Sequence, residues 1–123
     1  AIYSVEPAAF DDTARSLTSG TRETVAPNAV SICDALLAPT PGRLTFPINK
    51  ALLSGGLAVT DDEVRRAMRY AFEVLKLVVE PGGAVALAAL LAGKAPAADG
   101  ATVVVISGSN VDGGLFAEII GGD

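Results

Sequence analysis

The run "TVVVIS" at residues 102–107, followed by "GSN" at residues 108–110, decides the fold class. A continuous run of β-branched residues predicts a strand that is buried on both faces, as in the centre of a parallel sheet. The glycine-bearing turn after such a strand lies where open α/β sheets place their ligands. Ser107 and Asn110 are therefore candidate ligand contacts at the carboxyl end of a strand.

Strand and helix signals alternate along the rest of the chain. "AIYSVEP" at residues 1–7 and "GLAVT" at residues 56–60 predict further strands. Helices are predicted over residues 8–20, 43–56, 60–80, 84–93 and 111–120. This alternation predicts an α/β fold, a three-layer αβα arrangement with a mostly parallel sheet, in a single domain that covers residues 1–123.

The clearest element begins at Thr60. "TDDE" is a capping box, in which Thr60 caps the helix and Glu63 reaches back to the cap. Apolar residues then recur at helical spacing from Val64 to Leu75, and Pro81 is expected to end the helix.

Composition excludes several classes of function. The net charge is −5, the 9 basic residues are scattered, and there is no histidine. We therefore expect no nucleic-acid partner, no Ser-His-Asp triad and no histidine-ligated metal. The single cysteine excludes an intrachain disulfide. The single cysteine is compatible with a reducing compartment, and we expect a cytoplasmic protein. The most apolar run, "AVALAALLAG" at residues 84–93, is too short to span a bilayer.

Glu6, Asp11 and Asp12 form the first candidate site. A carboxylate at a strand end precedes two carboxylates at a helix start, and the turn between them can direct all three toward one point. Oxygen ligands of this kind suit a divalent cation such as Mg²⁺ or Ca²⁺. The alternative is that Asp11 and Asp12 only cap the helix and offset its dipole.

A second candidate is "VVEPGGA" at residues 78–84, where Glu80 precedes a helix start that can contact an anion or a cofactor. The alternative is a turn between helices with a solvated Glu80. "SGSN" at residues 107–110 lacks the nucleotide-binding glycine pattern and can equally be an ordinary strand-to-helix turn. Cys33 is predicted to be a small buried side chain rather than a nucleophile.

Four segments in this order resemble one enzyme family: "YSVEPAAFDDTARSL", "SICDALL", "KLVVEPGGAVALAALL" and "ISGSNVD". They are similar to the C-terminal part of the pyridoxal-phosphate-dependent threonine/serine dehydratases, the group that includes serine racemase. The resemblance covers essentially the whole chain. It implies the tryptophan synthase β-like fold, also called fold type II of the pyridoxal-phosphate enzymes.

The resemblance also assigns site residues. It implies that Glu6, the carbonyl of Phe10 and Asp12 bind a divalent cation. It implies that Ser107 hydrogen-bonds the pyridine nitrogen of pyridoxal phosphate and that Glu80 lies near the cofactor ring. A serine hydroxyl, unlike a carboxylate, does not hold that nitrogen protonated. Such a setting suits loss of a β-hydroxyl from an amino-acid substrate, which gives a 2-keto acid and ammonia.

The sequence departs from the family pattern at two positions. Ser109 stands where the family has a second glycine, and Ala35 stands where glycine often follows the aspartate of "CDALL". Because of the second change, the resemblance does not assign a cofactor contact to Cys33, Asp34 or Ala35.

In the family, the Schiff-base lysine and the phosphate-binding glycine loop precede the matched region. We therefore expect no catalytic residue in this chain, which would be the C-terminal portion of a longer dehydratase and inactive alone. Racemase activity in the parent enzyme and a stand-alone, noncatalytic α/β module that binds a metal or ligand are the alternatives. Surface left exposed at residues 2–6 and after Gly83 is expected to drive homo-oligomer formation.

Overall fold

Short strands and helices alternate in the computed structural model, which describes residues 1–122. The strands are β1 (Tyr3–Pro7) and β2 (Gly55–Val59). The α-helices are α1 (Asp12–Ser19), α2 (Thr45–Leu52), α3 (Asp61–Tyr70), α4 (Pro81–Leu91) and α5 (Gly113–Gly121). A π-helical turn, Ala71–Leu75, extends α3. Within residues 1–122, no helix has both the length and the apolar character needed to cross a membrane.

β1 and β2 form a parallel pair, with Val5 opposite Leu57. Successive side chains of a strand point to opposite faces, and the two faces of this pair meet different helices. Val5 and Leu57 pack against the main core, whereas the other face meets α1. A Cβ on Gly56 would lie 2.6 Å from the Cα of Ala14, so only glycine lets α1 approach this closely. The predicted α/β fold with a parallel sheet between helical layers is therefore confirmed.

The main core lies between α3 and α4. Val64, Ala67 and Met68 of α3 have no exposed surface, as their helical spacing predicts. α4 is buried over most of its length, because small residues at its start let other segments approach closely. The C-terminal α5 adds Ile119, which is 2% exposed, and its carbonyl accepts hydrogen bonds from Arg69.

The C-terminal end of α3 differs from the prediction. The helix was expected to continue to Pro81, but α3 ends at Tyr70 and the π-helical turn ends at Leu75. Lys76 adopts the left-handed conformation, with φ of 60°, and its N–H donates to the carbonyl of Ala71. This closes the helix before the β-branched residues that follow, which favour an extended backbone.

The predicted strand at residues 102–107 is also different in the structure. No strand is assigned there, and Val103 and Val105 are 86% and 67% exposed. Val104 and Ile106 instead pack against the core. A buried parallel strand requires neighbours on its edges, and no other described residue hydrogen-bonds to this segment's backbone. The prediction of a central, buried strand is therefore wrong for these residues.

Candidate functional site

Glu80 and the "SGSN" turn meet at one point. The backbone N–H of Glu80 donates to the carbonyl of Gly108 at 3.0 Å. A Cβ on Gly108 would collide with Oε1 of Glu80 and lie 3.0 Å from its Cδ. The Glu80 side chain therefore packs directly against the turn that carries Ser107, and the structure brings the two predicted cofactor contacts into one neighbourhood.

The first turn of α4 completes this neighbourhood. A Cβ on Gly83 would lie 2.8 Å from the carbonyl oxygen of Gly108 and 2.9 Å from its nitrogen. A Cβ on Gly82 would lie 3.3 Å from the Cβ of Ala35. Three of the four segments that carry the family resemblance, around residues 35, 80 and 108, are thus neighbours in space.

Neither Gly83 nor Gly108 was a candidate from the sequence. Their role depends on a contact between segments 25 residues apart, which no local pattern reports. The two glycine-bearing turns "PGGA" and "SGSN" are the only signal of it, because glycine is favoured where backbones approach closely.

The chemistry of this neighbourhood fits the ring end of an aromatic cofactor. Ser107 is exposed, so its hydroxyl is available to donate to or accept from a ligand. α4 begins at Pro81, and backbone N–H groups at a helix start carry a partial positive charge. The site thus offers a neutral hydroxyl, a carboxylate and a helix N-terminus within a short distance.

Two of the lysines are engaged elsewhere. Nζ of Lys50 donates to the carbonyl of Gly20 at 2.9 Å. Nζ of Lys94 donates to Glu63 at 2.6 Å and to the carbonyl of Ala58 at 2.9 Å. A Schiff-base lysine outside this chain stays a prediction.

Glu6 caps α1, a role that the sequence alternative gave to Asp11 and Asp12. Its two carboxylate oxygens accept from the N–H of Thr13 at 3.1 Å and of Ala14 at 2.9 Å. The Asp11 side chain makes no cap hydrogen bond and instead pairs with Arg15 at 2.7 Å. Capping by a side chain seven residues upstream tightens the turn between β1 and α1.

The predicted cation ligands Glu6, Phe10 and Asp12 lie around this same turn. Burial raises the pKa of the Glu6 carboxyl, and the nearby Asp12 raises it further. Burial also raises the pKa of Asp12, which is 4% exposed. Within residues 1–122, no three acidic, histidine or cysteine side chains cluster closely enough to hold a metal, so a cation here would need the Phe10 carbonyl as a ligand.

Cys33 has no exposed surface, in agreement with its predicted role as a small buried side chain. Burial raises the pKa of its thiol to about 11. A thiol with this pKa is almost entirely protonated near neutral pH and is a poor nucleophile.

The fold is α/β, and its candidate ligand contacts lie where Glu80 and the "SGSN" turn meet at the start of α4. The family model described as "Pyridoxal-phosphate dependent enzyme" matches residues 1–108. The chain belongs to this family, as the sequence resemblance implied.

Three relatives illustrate the match. The chain is 39% identical to a serine racemase of Dictyostelium discoideum, over 97% of this chain and 37% of that protein. It is 39% identical to an L-threonine ammonia-lyase of Geobacter sulfurreducens, over 90% of this chain and 27% of that protein. The solved structure of maize serine racemase superposes with a TM-score of 0.83 at 34% identity, covering 95% of this chain and 36% of that one. The chain thus spans about a third of the length of the relatives it matches.

Proposed function

We propose that this chain is the part of a pyridoxal-phosphate-dependent ammonia-lyase that contacts the ring of the cofactor, with a 3-hydroxy amino acid such as serine or threonine as substrate. The observation that carries the proposal is the meeting of Glu80 with the turn after Ser107, within the region that the family model matches. Racemisation is the alternative reaction, because similar relatives carry both names, serine racemase and L-threonine ammonia-lyase.

When bound, pyridoxal phosphate withdraws electrons from the substrate Cα and so assists loss of a proton or a β-substituent. The hydroxyl of Ser107 would hydrogen-bond the ring nitrogen without protonating it, which keeps the electron withdrawal moderate. Glu80 would border the ring from the neighbouring segment. Its carboxylate lies against the turn at Gly108. Moderate withdrawal favours expulsion of a β-hydroxyl over prolonged storage of negative charge at Cα.

A chimera tests the proposal. This chain would replace the matched 37% of the Dictyostelium discoideum serine racemase, which supplies the remaining polypeptide. We expect the chimera to bind pyridoxal phosphate and to release ammonia from serine or threonine. Ser107→Ala removes one hydrogen bond, so we expect about 3- to 10-fold weaker binding of the cofactor in an absorbance titration.

Ser109→Ala is the matched control, because Ser109 is exposed in the same turn and the substitution removes the same hydroxyl. It should leave cofactor affinity unchanged. Equal losses in the two variants would show that position 107 has no special contact. A chimera that folds but does not take up the cofactor would contradict the proposed function itself.

We further propose a divalent cation, Mg²⁺ or Ca²⁺, on Glu6, the Phe10 carbonyl and Asp12. The support is that hard cations take oxygen ligands and that a half-buried carboxylate, Glu6, and a buried one, Asp12, lie at one turn. Arg15 is a compensating charge near Asp12. The Glu6 oxygens that cap α1 retain further lone pairs for a cation. The cation would join the end of β1 to the start of α1.

Thermal unfolding with and without each cation tests this site. A cation present at 100 times its dissociation constant should stabilise the chain by about 2.7 kcal/mol. Asp12→Asn should abolish the shift, whereas Asp11→Asn should preserve it because Asp11 pairs with Arg15. An unchanged melting temperature at millimolar Mg²⁺ and Ca²⁺, or equal effects of the two variants, would contradict the assignment.

A further inference from the structure

Asp61, the first residue of α3, hydrogen-bonds to a segment that lies 30 residues earlier in the chain. Its Oδ1 accepts from the Ser31 hydroxyl at 2.6 Å, and its Oδ2 accepts from the N–H of Ile32 at 3.1 Å. Both hydrogen bonds are partly buried. Hydrogen bonds to an ionised carboxylate are roughly twice as strong as those between neutral groups. One side chain therefore holds two consecutive residues of a distant segment.

Ser31 extends this connection to the residues that follow it. Its Oγ accepts from the N–H of Cys33 at 3.1 Å, and the Cys33 side chain has no exposed surface. A 3-10 turn, Asp34–Leu36, comes next. We call residues 31–36 the anchored segment. Its place in the fold depends on the Asp61 carboxylate at its beginning and on core packing at its centre.

The end of the anchored segment lies against the candidate cofactor site. A Cβ on Gly82 would lie 3.3 Å from the Cβ of Ala35 and 3.4 Å from the Cγ of Leu36. Gly82 is the second residue of α4, whose start follows directly after Glu80. The Asp61 carboxylate thus helps to determine where residues 35 and 36 stand beside the α4 start.

We propose that Asp61 is a positioning residue for the cofactor site. It holds the anchored segment so that Ala35 and Leu36 form one side of the α4 start, next to Glu80. It acts through Ser31 and Ile32 rather than by touching the cofactor. The inference rests on the proposed function, because it takes the α4 start to be the place where the cofactor ring binds.

The competing explanation is that Asp61 only stabilises the start of α3 by its charge. The first turn of α3 holds three acidic residues, Asp61, Asp62 and Glu63, and negative charge is favourable at a helix N-terminus. Asp62 is exposed and has the same charge in the same turn. Asp62→Ala is therefore the matched control, since it removes an equal charge and leaves both hydrogen bonds of Asp61 in place.

Hydrogen exchange of this chain tests the anchoring without any cofactor. Asp61→Ala removes the acceptor of the Ile32 N–H and the partner of the Ser31 hydroxyl. We expect the amides of Ile32 and Cys33 to exchange about 10- to 100-fold faster, as the loss of a hydrogen bond to a charged group implies. Asp62→Ala should leave both rates unchanged. Circular dichroism should show the same helix content in the two variants.

Two further variants separate position from charge. Asp61→Asn removes the charge, but its amide oxygen can accept from Ile32 and its amide N–H can donate to Ser31. Exchange should therefore return to within about 5-fold of the unmodified chain, whereas a pure charge effect would make Asp61→Asn as fast as Asp61→Ala. Ser31→Ala removes only the hydroxyl and serves if Asp61→Ala does not fold. It should still speed exchange of the Cys33 amide, which loses its acceptor.

The chimera described under the proposed function measures the consequence for the cofactor. Asp61→Ala should weaken binding of pyridoxal phosphate by about 3- to 10-fold in an absorbance titration, because only molecules with the anchored segment in place are competent to bind. Asp62→Ala and Asp61→Asn should bind nearly as well as the unmodified chimera. The titration is made at a temperature at which circular dichroism shows every variant to be folded.

Equal exchange rates in Asp61→Ala and Asp62→Ala would overturn the anchoring role. Faster exchange in Asp61→Ala with unchanged cofactor affinity would overturn the link between the anchored segment and the site. An unmodified chimera that takes up no pyridoxal phosphate would contradict the proposed function and with it the role inferred for Asp61. The exchange measurements distinguish that failure from an error about the hydrogen bonds of Asp61, because they require no cofactor.

Discussion

Replacing Gly83 with alanine is the sharpest test of how the site is built. The new Cβ would lie 2.8 Å and 2.9 Å from backbone atoms of Gly108, and 3.2 Å from Cγ1 of Val79. Comfortable carbon contacts begin near 3.5 Å, so the α4 start and the turn must separate by roughly 0.6 Å. The two shortest contacts are to backbone atoms of Gly108, which cannot rotate away as the end of a long side chain can, so the backbone itself must shift.

The expected magnitude is a balance of two effects. Overpacking of this kind costs about 1–3 kcal/mol. Alanine is the better helix former, which offsets up to about 1 kcal/mol at a position inside α4. We therefore expect Gly83→Ala to lower the free energy of unfolding by about 1–2 kcal/mol. For a domain of this size that corresponds to a melting temperature about 4–10 °C lower.

Two other glycines serve as controls in urea unfolding followed by circular dichroism. Gly113 has open space around its Cβ position at the start of α5, so Gly113→Ala should be neutral or stabilising by up to about 1 kcal/mol. Gly108→Ala meets mainly the Glu80 carboxylate, which can swing away, so it should cost less than about 1 kcal/mol.

Hydrogen exchange at the Glu80 amide adds a local measurement, because that amide donates to the carbonyl of Gly108. It should exchange faster in Gly83→Ala than in Gly113→Ala. If Gly83→Ala is as stable as the unmodified chain and protects this amide equally, then the close approach of α4 to the "SGSN" turn is incorrect.

Two further predictions concern the backbone at Lys76 and the thiol of Cys33. Lys76 has φ of 60°, so Lys76→Gly should stabilise the chain by about 1 kcal/mol in urea unfolding, whereas Lys76→Ala, which keeps a Cβ, should not. Folding raises the pKa of Cys33 from 9.0 to about 11, so its contribution to stability is complete below pH 9 and is lost as the pH rises through 11. The free energy of unfolding should fall by about 2–3 kcal/mol over this pH range, and the fall should be absent in Cys33→Ala. In a separate test, the thiol should resist alkylation by iodoacetamide at pH 8 unless urea is added. Rapid alkylation of the folded chain would contradict the burial of Cys33.

Local signals predicted the local structure well. The capping box at Thr60 is present with both of its hydrogen bonds, at 2.7 Å and 3.2 Å. Gly20 ends α1 in the left-handed conformation, and Pro47 lies in the first turn of α2. In each case the determining atoms are within four residues of one another, so the sequence pattern contains the whole interaction.

The errors arise where distant atoms decide the outcome. Glu6 caps α1 by accepting a hydrogen bond from Thr13, seven residues further along the chain. The spacing of the acidic residues fits this capping, metal binding and capping by Asp11 equally well, so the sequence did not identify Glu6 as the cap. Residues 102–107 have the composition of a central strand, but strand formation requires a hydrogen-bonding neighbour that composition does not supply. The contact of Gly83 with Gly108 likewise depends on tertiary packing alone.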